Sequence, residues 1–310
     1  MGDLVAFSDA AGYFSTNNLT IHSPDKNIMG YNEDLNCDMN NMAETLMFSG
    51  DYEGWVFWPY TDAGAGVSMP SNYVDGLILS NNSGDPNSSV DIAPGECRSL
   101  ADDSDLIYLS GMTKLLNASF AEGSGFGGLD TGVIAAATWY YVWAIKRSDN
   151  GTCDFLFSTS STDPVMPNAY DSKHCIGMFK TDGSSHILPF TQSGDKFILT
   201  TAITEVNAAA APVAPTLLTL TGVPSGFNVQ ALVRMKAVSA TPGDTLLAYP
   251  YCSTSSVAIY LTCQVNGIAV TSDEVPVLTN TTAQIYHNST GTVTESLFTN
   301  GWIFERGRNQ

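Results

Sequence analysis

The stretch from residue 138 to residue 158 constrains the fold more than any other. Residues 138–146 alternate Trp139, Tyr141, Trp143 and Ile145 on one side with Tyr140, Val142 and Ala144 on the other. A period of two means an extended strand, and two apolar faces mean a strand covered on both sides. Ser148-Asp149-Asn150-Gly151 follows, and an Asn-Gly pair accepts the positive φ angles of a tight hairpin. The chain then returns through residues 152–158, with Cys153, Phe155 and Phe157 on one face.

The same grammar recurs. A second hairpin is expected from residues 174–180 and 186–190 around Asp182-Gly183. Further strands are expected at 74–79, 104–110, 196–203, 283–287 and 301–305. Residues 228–238 alternate cleanly, with Val229, Ala231, Val233, Met235 and Ala237 facing inward, and Val257, Ile259, Leu261 and Cys263 form another inward set. Two segments read differently: residues 40–48 suit a short helix, and the stretch after residue 110 suits a helical turn. The Ala- and Pro-rich residues 207–215 read as a connector. Many short strands between Gly, Pro, Asn and Ser breaks, with no fixed repeat, predict an all-β fold. The expected form is an antiparallel β-sandwich or jelly-roll-like module over residues 71–310, preceded by a short irregular attachment region at 1–70.

Charge narrows the partners. The net charge is -19, and residues 1–140 hold 19 of the 31 acidic residues but only three of the 12 basic ones, Lys26, Arg98 and Lys114. Such a surface repels phosphate backbones and anionic lipid, so neither nucleic acid nor membrane insertion is expected. Met1-Gly2-Asp3-Leu4 lacks the basic start of a signal peptide, and synthesis in the cytoplasm of the producing cell is the expectation. The six cysteines form no CxxC and fit no zinc template; they read as small buried residues, with pairing left open.

Few motifs suggest chemistry. Gly123-Ser124-Gly125-Phe126-Gly127-Gly128 matches GxGxxG, but a β segment follows it where a nucleotide site needs a helix. Close passage of another backbone explains those glycines better. His22, His174, His186 and His287 stand in no GxSxG or HExxH context, and His174 and Cys175 point to opposite faces of one strand. The oxygen-rich runs Asp102-Asp103-Ser104-Asp105 and Asp149-Asn150-Gly151 read as solvated turns. No catalytic residue, metal or cofactor is expected. The candidate ligand-binding residues are the aromatics Trp55, Trp58, Tyr60 and Tyr73, in a less regular, Gly-rich region where sugar rings could stack.

A group of motifs resembles a β-rich module of bacteriophage tail fibres and other virion appendages. They are Leu79-Ser80-Asn81-Asn82, Val90-Asp91-Ile92-Ala93-Pro94-Gly95-Glu96-Cys97-Arg98, the glycine run through Gly132, Thr138-Trp139-Tyr140-Tyr141-Val142, Asp154-Phe155-Leu156-Phe157-Ser158-Thr159-Ser160, Ile176-Gly177, Ile187-Leu188-Pro189-Phe190, Gly301-Trp302 and Arg306-Gly307-Arg308. They span about three quarters of the chain. The resemblance implies a homotrimeric, non-enzymatic virion protein on the particle surface, a tail fibre or spike subunit binding a host-surface glycan or protein. The first 70 residues would then attach it to tail-tip or capsid proteins. Those residues carry no Gly-X-Y or heptad stalk, which points toward a short spike, a head fibre or a capsid decoration (cement) protein. A glycan-degrading tailspike is the alternative of another class.

Overall fold

The computed structural model describes residues 3–306 except 11, 24, 40–42, 51–53 and 58–67. The protein is all-β, and no described residue is helical. The chain divides into two compact units, Met1–Ser68 and Met69–Gln310.

The first unit is built of strands, where the sequence suggested an irregular arm. Leu4–Ser8, Ala43–Gly50 and Gly54–Phe57 form an antiparallel sheet with Ala43–Gly50 in the centre, and Leu19–Ile21 pairs with Leu35–Cys37. The helix expected at 40–48 is therefore a strand from Ala43 onward; residues 40–42 lie outside the described residues. Ala, Glu and Met are good helix formers, but propensity is a weak bias that partners on both edges outweigh. Leu46, opposite Val5 and Phe57, is buried together with Ile28 and Val56.

The second unit is dominated by a 13-stranded sheet. Its order begins Tyr170–Lys180, Trp139–Arg147, Cys153–Ser158, Phe126–Leu129, Met112–Ser119, Ser89–Ile92 and Leu79–Asn81. It continues with Phe190–Ser193, Lys196–Ala210, Val293–Ile303 and Gln230–Ser239; this last strand pairs with both Val270–Thr271 and Val275–Leu278. A four-stranded sheet (Thr216–Thr219, Gln284–Ser289, Thr245–Tyr249, Ile259–Thr262) and a three-stranded one (Asp105–Tyr108, Gly95–Arg98, Val74–Gly76) complete it. Open sheets of this size curl or split. This one folds over itself: Trp139 and Trp302, from distant parts of the strand order, meet edge to face at 5.0 Å. A sandwich-like arrangement results. Its core is threaded by the rings of Phe157, Phe179, Phe190, Phe197 and Trp302, each 5.1–6.5 Å from the next.

Among the described residues, pairing is antiparallel except at the isolated Ile28–Trp55 bridge of the first unit and around one strand of the second. Phe126–Leu129 runs parallel to both of its neighbours, Met112–Ser119 and Cys153–Ser158. The glycines of the GxGxxG match explain how it fits. A Cβ on Gly127 would lie 2.1 Å from the Ser119 carbonyl oxygen, and one on Gly128 would lie 2.9 Å from the Phe157 ring. This is close backbone passage, as the sequence suggested, and no helix follows.

Several local expectations change. The supposed helical turn after residue 110 is the strand Met112–Ser119. The supposed connector begins only at residue 211, because Asn207 and Ala208–Ala210 belong to the strand Lys196–Ala210. The 174–190 hairpin reduces to the bridge between Thr181 and Ile187, while Tyr170–Lys180 pairs instead with Trp139–Arg147. Val257 is exposed, although Ile259, Leu261 and Cys263 are buried. Strand Trp139–Arg147, flanked by Cys153–Ser158 and Tyr170–Lys180, has residues 140–145 buried within a single chain. Its two apolar faces thus need no second subunit to cover them. All six cysteines are free thiols, with Cys37, Cys97, Cys175 and Cys263 buried.

Candidate ligand cleft

Three strands of the large sheet end side by side. Gln230 lies opposite Leu278 on one neighbour and Ile303 on the other, so the three residues form one row across the sheet. The turn Gly226-Phe227-Asn228 and the residues Phe304 and Glu305 close round that row. They bound, with Thr281, an open cleft of about 450 Å³.

The cleft wall is held rigidly. Gly226 has φ +86° and donates its N–H to the Thr281 carbonyl at 2.7 Å. The Phe227 ring leans on Phe304 at 5.0 Å and on Tyr141 at 5.8 Å, and the Tyr141 hydroxyl donates to the Ser225 carbonyl at 2.6 Å. The Asn228 amide donates to the Tyr251 hydroxyl at 3.2 Å. An aromatic wall beside amide, hydroxyl and carboxylate groups is the chemistry of a polyhydroxylated ligand, with ring faces for C–H surfaces and short polar groups for hydroxyls. Glu305 is the one ionisable residue among the described lining residues.

The four aromatics expected from sequence do not form one site. Trp58 and Tyr60 lie outside the described residues. Trp55 and Tyr73 belong to different units. Trp55 packs edge-on against Phe48 at 5.6 Å and lines a cleft of about 370 Å³ with Val5, Ile21, Ile28, Leu46 and polar residues that include His22 and Lys26. On the same unit, Asp34 accepts the Ser23 N–H at 2.8 Å and meets His22 at 2.7 Å; these bonds hold its carboxyl below the usual range. Tyr73 is half-buried, and desolvation, then the charges of Asp75 and Glu96, raise its phenol above the ordinary value. The cleft residues Phe227, Asn228, Gln230 and Glu305 were missed in the sequence. The available signal was an aromatic inside the turn Pro224-Ser225-Gly226-Phe227, where a side chain is placed by a scaffold rather than consumed by a core.

The acidic runs and histidines have structural partners. Arg98 is clamped by Asp102 at 2.7 Å and Asp105 at 2.8 Å, and Asp103 accepts from Ser99 at 2.6 Å. Asp149 binds Arg147, which also meets Glu122 at 3.0 Å. His287 pairs with Glu295 at 3.0 Å in the interior. Among the described residues no group of three or more His, Cys, Asp or Glu is placed to hold a metal.

His174 yields a pH prediction. Its Nδ1–H donates to the Arg98 carbonyl, and its buried Nε2 has no hydrogen-bond partner among the described residues. Burial, aided by the Arg306 charge, pushes its pKa down to about 4. The folded ring stays neutral where an unfolded one, with an ordinary value of 6.5, takes up a proton. Stability contributed by the neutral ring is therefore complete above 6.5 and is lost as pH falls toward 4, by about 1.4 kcal/mol per pH unit. Urea unfolding of the wild type should weaken more between pH 7 and pH 4.5 than that of His174→Gln. Equal losses would refute this role.

No family model matches the chain, and no curated protein matches it. Among solved structures, a chain from the crystal structure of the T13 IBDV viral particle aligns at 8% identity, over 100% of this chain and 72% of that one, with a TM-score of 0.22. At that level the likeness implies neither a shared fold nor a shared role.

Proposed function

We propose that this protein is a structural and binding component of a bacteriophage particle, a tail-fibre or spike subunit that attaches to a host surface without making or breaking covalent bonds in its ligand. The observation that carries the binding role is the cleft around Gln230: a rigid aromatic and amide-lined recess with a single carboxylate. Glycoside hydrolysis ordinarily uses two carboxyl groups flanking the scissile bond, so one acid favours recognition over cleavage. The virion assignment rests on the motif resemblance. On this reading the first unit joins the protein to tail-tip or capsid proteins, and the second carries the ligand site.

The test is binding of the purified protein to host cells and to their isolated surface polysaccharide. Phe227→Ala and Gln230→Ala should each weaken binding about tenfold or more, equivalent to about 1.4 kcal/mol; Gln230→Ala should leave the thermal melt little changed, while Phe227→Ala should also lower it, because its ring packs on Phe304 and Tyr141. Unchanged binding by both variants would move the site elsewhere. Release of reducing ends from the polysaccharide would replace this reading with the depolymerising spike.

We also propose a homotrimer: the number three rests on the motif resemblance, and the contact on an open strand edge, since the strand Trp139–Arg147 is already covered within one chain. In the strand Lys196–Ala210, Phe190–Ser193 pairs only with residues 196–199. Beyond Thr200 no second strand covers that edge among the described residues, while the other edge pairs with Val293–Ile303. A long open edge invites pairing with another chain. Light scattering at micromolar concentration should give three times the chain mass; a monomer would refute the assembly.

A further inference from the structure

The interior of the second unit holds a lysine and an aspartate in direct contact, both with no exposure to solvent: Lys114 Nζ lies 3.0 Å from Asp154 Oδ1. They come from strands that are not neighbours. Lys114 is on Met112–Ser119, Asp154 is on Cys153–Ser158, and Phe126–Leu129 runs between. The lysine reaches across that middle strand at Gly128, where an added Cβ would sit 3.3 Å from the Lys114 Cβ. Gly128, having no side chain, leaves room for that crossing as well as for the Phe157 ring.

Both groups are aimed as well as buried. Nζ donates to the carbonyls of Ala121 at 2.8 Å and Gly123 at 3.1 Å, and the Phe120 ring lies 4.8 Å from it. Asp154 Oδ2 accepts the Gly123 N–H at 2.7 Å, and Oδ1 accepts the Phe155 N–H at 2.6 Å. Behind them the Tyr108 ring stacks on Phe155 at 4.2 Å, and its hydroxyl donates to the Asp154 carbonyl at 2.9 Å.

We propose that Lys114 and Asp154 condense to an intramolecular isopeptide bond, a covalent staple across three strands of the sheet. In the reaction the neutral amine attacks Cγ of the neutral acid. The Nζ–Cγ bond forms, and the Gly123 N–H stabilises the negative charge that develops on Oδ2. The Cγ–Oδ1 bond then breaks, and Oδ1 leaves as water, carrying the acid's proton and one proton from the amine. The amide N–H that remains keeps a carbonyl acceptor in Ala121. No oxidant, reductant or further reactant is consumed. Desolvation favours the required neutral forms: it is the leading cause that lowers the Lys114 pKa and raises that of Asp154. Fixed contact between the groups supplies the proximity that an intermolecular amide would lack.

The test is the intact mass of the full purified chain, denatured under reducing conditions so that no disulfide contributes. The expected mass is one water below that of the sequence. Peptide mapping should recover a branched peptide joining the segments that contain Lys114 and Asp154, and Lys114→Arg should restore the full mass. A folded wild-type chain of full sequence mass would overturn the proposal and leave the pair as an ordinary buried ion pair. So would a missing water mapped to the Asp75-Gly76 or Asp182-Gly183 steps, where aspartate can cyclise onto its own backbone, or one that persists in Lys114→Arg.

Discussion

Replacing Lys114 by methionine is expected to destabilise the unit Met69–Gln310 by about 3–5 kcal/mol, the usual cost of leaving a buried charge without its partner. Methionine fills much of the same space, so the loss is electrostatic rather than a cavity effect. Asp154 keeps the Gly123 and Phe155 N–H donors but has no cation and no exposure. It must either hold an uncompensated charge or take up a proton. Either way, the cost falls on the fold.

The double variant Lys114→Met/Asp154→Leu should recover part of this loss, because two apolar groups in a dry interior need no partner. Recovery should stay incomplete, since the Gly123 N–H and the carbonyls of Ala121 and Gly123 lose their side-chain partners. Urea unfolding of the wild type and both variants at neutral pH measures this. A single variant no less stable than the double one would mean that water reaches Asp154. If the amide forms, the ordering is unchanged, because Lys114→Met removes the amide and frees the same buried carboxylate.

Trp302→Ala should cost a similar amount, about 3–5 kcal/mol, through a large cavity in a packed core. Trp302 is fully buried, stacks on Phe197 at 5.1 Å and 6°, and meets Trp139 edge-on. Its strand joins Lys196–Ala210 to Gln230–Ser239, with Trp302 opposite Phe197 on one side and Ala231 on the other. Trp302→Phe should cost much less. The indole Nε1 is buried with no hydrogen-bond partner among the described residues, so phenylalanine removes an unsatisfied donor while keeping a ring against Phe197. Thermal melts with near-ultraviolet circular dichroism would register both changes. Equal losses for the two variants would show that the indole's full width, rather than the ring stack, holds the layers together.

Strands whose pattern is written in their own residues were legible without coordinates. The alternation of Ala231, Val233, Met235 and Ala237 places them in the core, and Trp139–Arg147 with its return strand Cys153–Ser158 forms the hairpin that Asn150-Gly151 announces. Misreadings fell where local preference and tertiary pairing disagree. Ala43–Gly50 and Met112–Ser119 contain good helix formers and became strands because neighbours distant in sequence offered both edges. The connector was placed too early because its alanines say nothing of Val293–Ile303, which binds them.

The candidate sites were less legible still. Trp55 and Tyr73 were conspicuous as aromatics, yet the cleft in the second unit is assembled from Phe227, Gln230, Leu278 and Phe304, which only pairing brings together. Nor does the sequence link Lys114 to Asp154 across a third strand. By itself the sequence determined an all-β chain, because a period of two is a property of neighbouring residues. Which strands adjoin, which edge stays open and which buried charges meet were decided by the tertiary structure, because hydrogen bonding between strands and the cost of burying unpaired charge depend on residues far apart along the chain.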